Sequence, residues 1–391
     1  MSKGLDKRSF CRIQKPSSVS ETMKTPHLSS SFKARALIVL MALLVNLTPG
    51  LAGSWNWEVM VQPGMMATGS RTGVPSSLGS DYYFRAVDNN IWRHVRVLNQ
   101  YGTYNWRMYQ IGSTGWVKDW LAFQPGHSLS YDLLYYQGWD NHLWVLYRTK
   151  DGFTKESFAE APLTYSPNVA GDVVVDTGLS VVFYRGIDSR IYGVYWGGYG
   201  YGWIQTPVGP LANVGGGLSV DSSRHYVYYR GTDYKLWVLY WDGSGWAQAP
   251  LGEIANVSEP ITTDVASMVT YYRSWQDSSL WAVYWSGTAW VQAQVDAQAY
   301  MAPYASASAM YTAYYVQNPT NISFPPPWIE VPGGRKLLYL DLNGRCEQVV
   351  SNTHQWMGDG AWGLIGGLGM DGDGAVWAGR SDGAVVRFHF E

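Results

Sequence analysis

Residues 228–246 read "YYRGTDYKLWVLYWDGSGW". Three Trp and four Tyr crowd into this stretch, yet Arg230, Asp233, Lys235 and Asp242 interrupt it. Such alternation of aromatic runs with Gly- and Asp-containing turns is a strand–turn–strand signal. The second run, "LWVLYW", is apolar on both faces. Leu236, Val238 and Tyr240 lie on one, and Trp237, Leu239 and Trp241 on the other. A strand with one wetted face should alternate with polar residues, so this one must be covered on both sides.

Near-copies begin at Tyr82, Leu133, Val181 and Val269. Aligned on one turn position they place Arg85, Gln137, Arg185, Arg230 and Arg273 in register, with spacings of 52, 48, 45 and 43. A period in the forties with this content predicts an all-β fold, a β-propeller of four-stranded antiparallel blades. A faint sixth copy starts at Tyr311. A seventh, "AVWAGRSDGAVVRFHF", follows a Pro-rich insertion around 317–335. Seven blades over residues 54–391 average about 48 residues each; six blades with a separate insert is the alternative. The small-residue segments "GDVVVD" at Gly171, "GGGLSVD" at Gly215 and "PYASASA" at Pro303 suit inner strands, where blades converge. "SWNWEVMV" from Ser54 is expected to add the outer strand of the last blade, beside "VVRFHF", and so remove the free edges.

The remaining composition bounds the function. The chain has 391 residues, with 21 Trp, 29 Tyr, 43 Gly and only 15% charged residues. Residues 1–53 read as a signal peptide with a long basic n-region, and residues 54–391 as a single domain. The apolar run at 36–45 is too short to span a bilayer, so no stable membrane insertion is expected after cleavage. Residues 1–35 hold eight basic and two acidic residues; without them 20 basic face 28 acidic, a net of −8. That balance leaves no basic patch for nucleic acid. Past the leader only Cys346 remains, so no intrachain disulfide is expected. Asn256 and Asn321 begin glycosylation sequons.

Recurrence also selects candidate site residues. Trp144, Tyr192, Trp237 and Trp281, with Trp92, follow the turn and could stack on the apolar face of a sugar or pack between blades. Trp203, Trp246 and Trp290 follow the next Gly-containing turns and could line a groove. Arg185, Arg230 and Arg273 could donate to hydroxyls, stack on an aromatic, or pair with Asp188, Asp233 or Asp277. Those aspartates are expected to cap their own turns. Nucleophile-elbow, zincin and phosphate-loop motifs are missing, and no unique carboxylate pair stands out for glycoside cleavage. Asp371 and Asp373 make at most the start of a calcium loop, so neither a metal nor a cofactor is expected.

The repeats "VFYRGIDSRIYGVYW" and "VYYRGTDYKLWVLYWDGSGW" resemble the blades of secreted propeller lectins, of the seven-bladed Photorhabdus type and, more distantly, the six-bladed Aleuria type. The resemblance covers residues 82–291 well and implies multivalent recognition of fucose-like sugars in pockets between blades. The Aleuria-type Arg position falls here on Asp81, Leu133, Val181, Tyr226 and Val269, and the Glu position on Arg93, Val145, Gly193, Val238 and Ala282. No blade keeps that pair, so the Photorhabdus type fits better. The expectation is an exported, non-catalytic glycan-binding protein, capable of self-association, with a protein-interaction scaffold or a glycoside hydrolase or lyase as alternatives.

Overall fold

The computed structural model describes residues 55–67, 73–75, 82–98, 100–112, 115–124, 133–151, 155–164, 168–198, 201–264, 269–286, 288–296, 311–313, 336–340, 346–350, 353–356, 369–370 and 375–390. The leader, "PYASASA", the insertion, Asn321, Asp371 and Asp373 lie outside the described residues. Those described form seven four-stranded antiparallel sheets. Blade 1 spans 73–110, blade 2 117–162, blade 3 169–207, blade 4 214–250, blade 5 257–296 and blade 6 311–356. Blade 7 joins Gly369–Met370, Val376–Gly379 and Val385–Phe390 to the N-terminal strand Trp55–Val61. Each inner strand touches the next around the molecule, and that of blade 7 touches that of blade 1, so the ring is closed. The segments from Gly171 and Gly215 lie in the inner strands Val169–Asp176 and Val214–Asp221. No helix among the described residues is long and apolar enough to cross a membrane.

The two-faced strands explain the core, which is a series of layers between blades. On blade 4, Tyr229 and Leu239 pack against Phe183 and Ile191 of blade 3. On its other side, Tyr228, Leu236 and Val238 pack against Ile261, Tyr272 and Val283 of blade 5. These side chains are almost fully buried. Packing a sheet on both faces is what makes "LWVLYW" energetically acceptable, because each buried aliphatic or aromatic side chain contributes roughly 1.5–3 kcal/mol.

A backbone device locks the blades in order. The turn between second and third strands has a residue with φ near +60°: Asn89, Asn141, Ser189, Tyr234 and Ser278. That conformation turns the carbonyl of the first four toward the following blade. Val117, Val169, Val214 and Val257 donate their N–H groups to Asn89, Asn141, Ser189 and Tyr234 at 3.2, 3.0, 2.9 and 2.8 Å. Met66 donates likewise to Gly383 of blade 7 at 2.8 Å, carrying the pattern across the closure. Positive φ costs a non-Gly residue of order 1 kcal/mol, which the interblade bond offsets.

Among the described residues Arg85 Nε, Ser180 Oγ and His94 Nδ1 are buried without a hydrogen-bond partner. His94 on blade 1 is 4% exposed, stacks on Trp106 at 5.0 Å, and its Nδ1 has no partner among the described residues. Burial holds its pKa down at about 4. The unfolded imidazole takes up a proton near pH 6.5 while the folded one stays neutral, so stability falls as pH drops from 6.5 towards 4. Denaturation at pH 7 and pH 4.5 should show His94→Phe losing less stability on acidification than the parent. The full effect is worth roughly 3–3.5 kcal/mol. Equal losses in the two proteins would refute this origin.

Candidate functional site

The second-to-third-strand turns gather on one face of the propeller and share one chemistry. Asp88, Asp140, Asp188, Asp233, Asp277 and Asp382 each accept the N–H two residues on, at 3.0–3.2 Å. These are turns stabilised by their own aspartate. The same carboxylates hold the recurring rings by their polar edges. Trp144 donates to Asp140 at 3.1 Å, Trp237 to Asp233 at 3.0 Å, and Tyr192 to Asp188 at 2.9 Å. Trp281 turns instead to Ser279 at 2.9 Å. A ring folded back this way lies over the turn glycine. A Cβ added to Gly138, Gly186 or Gly231 would stand 2.6 Å from Trp144, Tyr192 or Trp237. Each ring also stacks on its cross-strand tyrosine: Tyr136, Tyr184, Tyr229 and Tyr272 at centroid separations of 6.3, 5.3, 6.4 and 6.4 Å.

The arginines reach inward. Arg185 donates to Asp172 at 3.1 Å and to the Ala170 carbonyl at 3.0 Å. Arg230 donates to the Gly215 carbonyl at 2.6 Å and lies over the Tyr234 ring. Arg273 bonds Ser258 at 3.3 Å and Ser278 at 2.6 Å. Trp203, Trp246 and Trp290 are at the other end of the strands, edge-on to Trp196, Trp241 and Trp285 at 5.5–5.8 Å. Four residues separate Trp237 from Trp241, about 13 Å of strand. The candidate rings therefore divide between opposite ends of the strands.

Blades 3, 4 and 5 repeat a further network. Tyr184, Tyr229 and Tyr272 donate to Asn168, Asn213 and Asn256 at 2.8, 3.0 and 2.9 Å. They accept from Gln205, Gln248 and Gln292 at 2.5–2.6 Å. Asn256 is thus 1% exposed and committed, and its sequon is inaccessible in the folded blade.

Blade 2 breaks the repeat at each of these positions. Trp116 stands where the asparagine would be, Gln137 replaces the arginine, and Glu160 replaces the glutamine, accepting from Tyr136 at 3.2 Å. Here a cavity of about 540 Å³ opens between blades 2 and 3. Lys118, Asp119, Gln137, Trp139, Asn141, Val169, Ala170 and Ile187 line it. Lys118 donates to Asn141 at 2.8 Å and Gln137 to the Val169 carbonyl at 2.8 Å, which fixes the polar floor. Trp139 rises from the turn tip, 54% exposed, and among the described residues its indole N–H has no hydrogen-bond partner. Of this lining, sequence reading registered only Gln137, as a member of the repeat. It sought what recurs, whereas the signal was the blade that does not. Among the described residues no cluster of three or more His, Cys, Asp or Glu could hold a metal.

The sequence matches no protein-family model and no curated protein. Solved structures do share its architecture. The WD40 β-propeller domain of Doa1 aligns at 12% identity over 85% of this chain and 97% of its own, with a TM-score of 0.51. A catalytically inactive virginiamycin B lyase from Staphylococcus aureus, solved with quinupristin, aligns at 9% identity over 86% and 99%, with a TM-score of 0.50. AofleA from Arthrobotrys oligospora aligns at 12% identity over 86% and 88%, with a TM-score of 0.43. At such identities likeness is a matter of fold alone: this chain is a β-propeller.

Proposed function

We propose that the protein is an exported, non-catalytic carbohydrate-binding propeller with a site in the cavity between blades 2 and 3. One observation carries the reading: an exposed indole with an uncommitted N–H stands over a fixed polar floor. A pyranose offers a C–H face that suits the electron-rich face of Trp139. Its hydroxyls both donate and accept, and the floor supplies both partners, ammonium and amide N–H groups from Lys118 and Asn141 and carboxylate and amide oxygens from Asp119 and Gln137. The volume lies within the range of small-ligand pockets. The half-buried rings of the other blades would add weaker sites, and several together would supply avidity.

The experiment is a glycan array followed by calorimetry. Binding to a restricted set of glycans, competed by free sugar, is the expected result; a blank array with properly folded protein would reject the reading. A scaffold role has its own support in the exposed apolar turn tips Val87, Ile187 and Trp275, which stand on the same face as the cavity. A blank array would favour that role over glycan binding.

A further inference from the structure

Trp116 has no counterpart in the repeat. Its carbonyl accepts the Trp139 N–H at 2.9 Å, so the two residues are backbone neighbours across blade 2's turn face. The Trp116 ring is 45% exposed and stacks on Trp144 at 6.4 Å. Trp144 in turn stacks on Tyr136, giving a ladder of three rings. This ladder belongs to the layer facing blade 1, where Trp144 packs with Tyr83 and Ile91. Trp139, by contrast, borders the cavity facing blade 3. Asn168, Asn213 and Asn256, at the same position in blades 3–5, are tied to tyrosine hydroxyls and present no ring. Blade 2 therefore shows an exposed indole on each side of one turn.

We propose that these indoles are two lobes of one site, and that its ligand is an oligosaccharide spanning the turn rather than a single sugar. One pyranose covers one indole, and the second indole faces the opposite interblade layer, so a single ring cannot meet both. A chain of two or more sugars can, and linking two weak contacts raises affinity without any new contact. The inference rests on the carbohydrate reading above and narrows it to a length class.

The test is calorimetry with two matched sets of probes. Methyl glycosides of glucose, N-acetylglucosamine, mannose and fucose are compared with cellotriose, chitotriose, mannotriose and 2′-fucosyllactose. At least one oligosaccharide should bind tenfold or more tighter than its methyl glycoside. Trp139→Ala should weaken both, while Trp116→Ala should cost the oligosaccharide about tenfold and leave the methyl glycoside unchanged. If Trp116→Ala proves unstable, Trp116→Asn restores the residue that blades 3–5 tolerate and serves instead. Equal affinity for both sets, with no effect at Trp116, would overturn the two-lobed site and leave the cavity as a single-sugar pocket. Failure of both sets to bind would overturn the carbohydrate reading itself, and this inference with it.

Discussion

Gln137→Arg should close the cavity between blades 2 and 3 and weaken binding of the glycan identified by array more than tenfold, a loss above about 1.4 kcal/mol. Blades 3, 4 and 5 carry arginine at this register, as Arg185, Arg230 and Arg273, and each sends its guanidinium to the inner strand. In blade 2 the glutamine instead crosses to the Val169 carbonyl of blade 3, and the cavity lies beside it. Because the repeat accommodates arginine elsewhere, the substitution should fold normally, with a melting temperature within a few degrees of the parent. Calorimetric titration and thermal melting together check it. Undiminished binding by a protein of normal stability would mean that the ligand sits elsewhere.

Removing the chain through Val61 is expected to have the largest structural effect. The strand Trp55–Val61 pairs antiparallel with Val385–Phe390, from Trp55 opposite Phe390 to Val61 opposite Val385. Glu58 accepts from Arg387 at 3.4 Å across the seam, and Val61 is 2% exposed. Without it the strand ending at Phe390 becomes an open edge, and exposed edges recruit other chains. Truncated protein should melt at least 10 °C lower than the parent and form oligomers or aggregates, read by calorimetry and light scattering. A synthetic peptide of residues 54–61 should restore the monomer in part. A truncated monomer with unaltered melting would show that the seam contributes little.

The fold was legible because its cause is local and repeated. Apolar residues on both faces of "LWVLYW" require a covering sheet on each side, and the spacing of such segments sets the blade length. The closing strand could be read from its position and its aromatic content. The site was harder to see, for reasons the geometry supplies. Trp144 and Trp237 look like platforms in sequence, but their indole N–H groups serve the turn aspartates four residues earlier. Arg185 and Arg230 look available for hydroxyls, but their partners are inner-strand groups 13 to 15 residues away that no short motif reveals. Trp139 shares its offset with Trp275 of blade 5 alone, whose indole N–H donates to the Ala255 carbonyl, so a search for periodicity passed over it. A comparison of blades for what differs would have isolated Trp116, Gln137 and Glu160 together.

The carbonyls turned outward at Asn89, Asn141, Ser189 and Tyr234 have a consequence for how such a molecule can be divided. Each turn is finished by an N–H that another blade supplies. A fragment cut between blades would keep its strands yet leave its last turn without that partner, poised at an angle only the missing neighbour justifies. Autonomy thus belongs to the circle as a whole, and excised blades are poor reagents for studying what the intact one does.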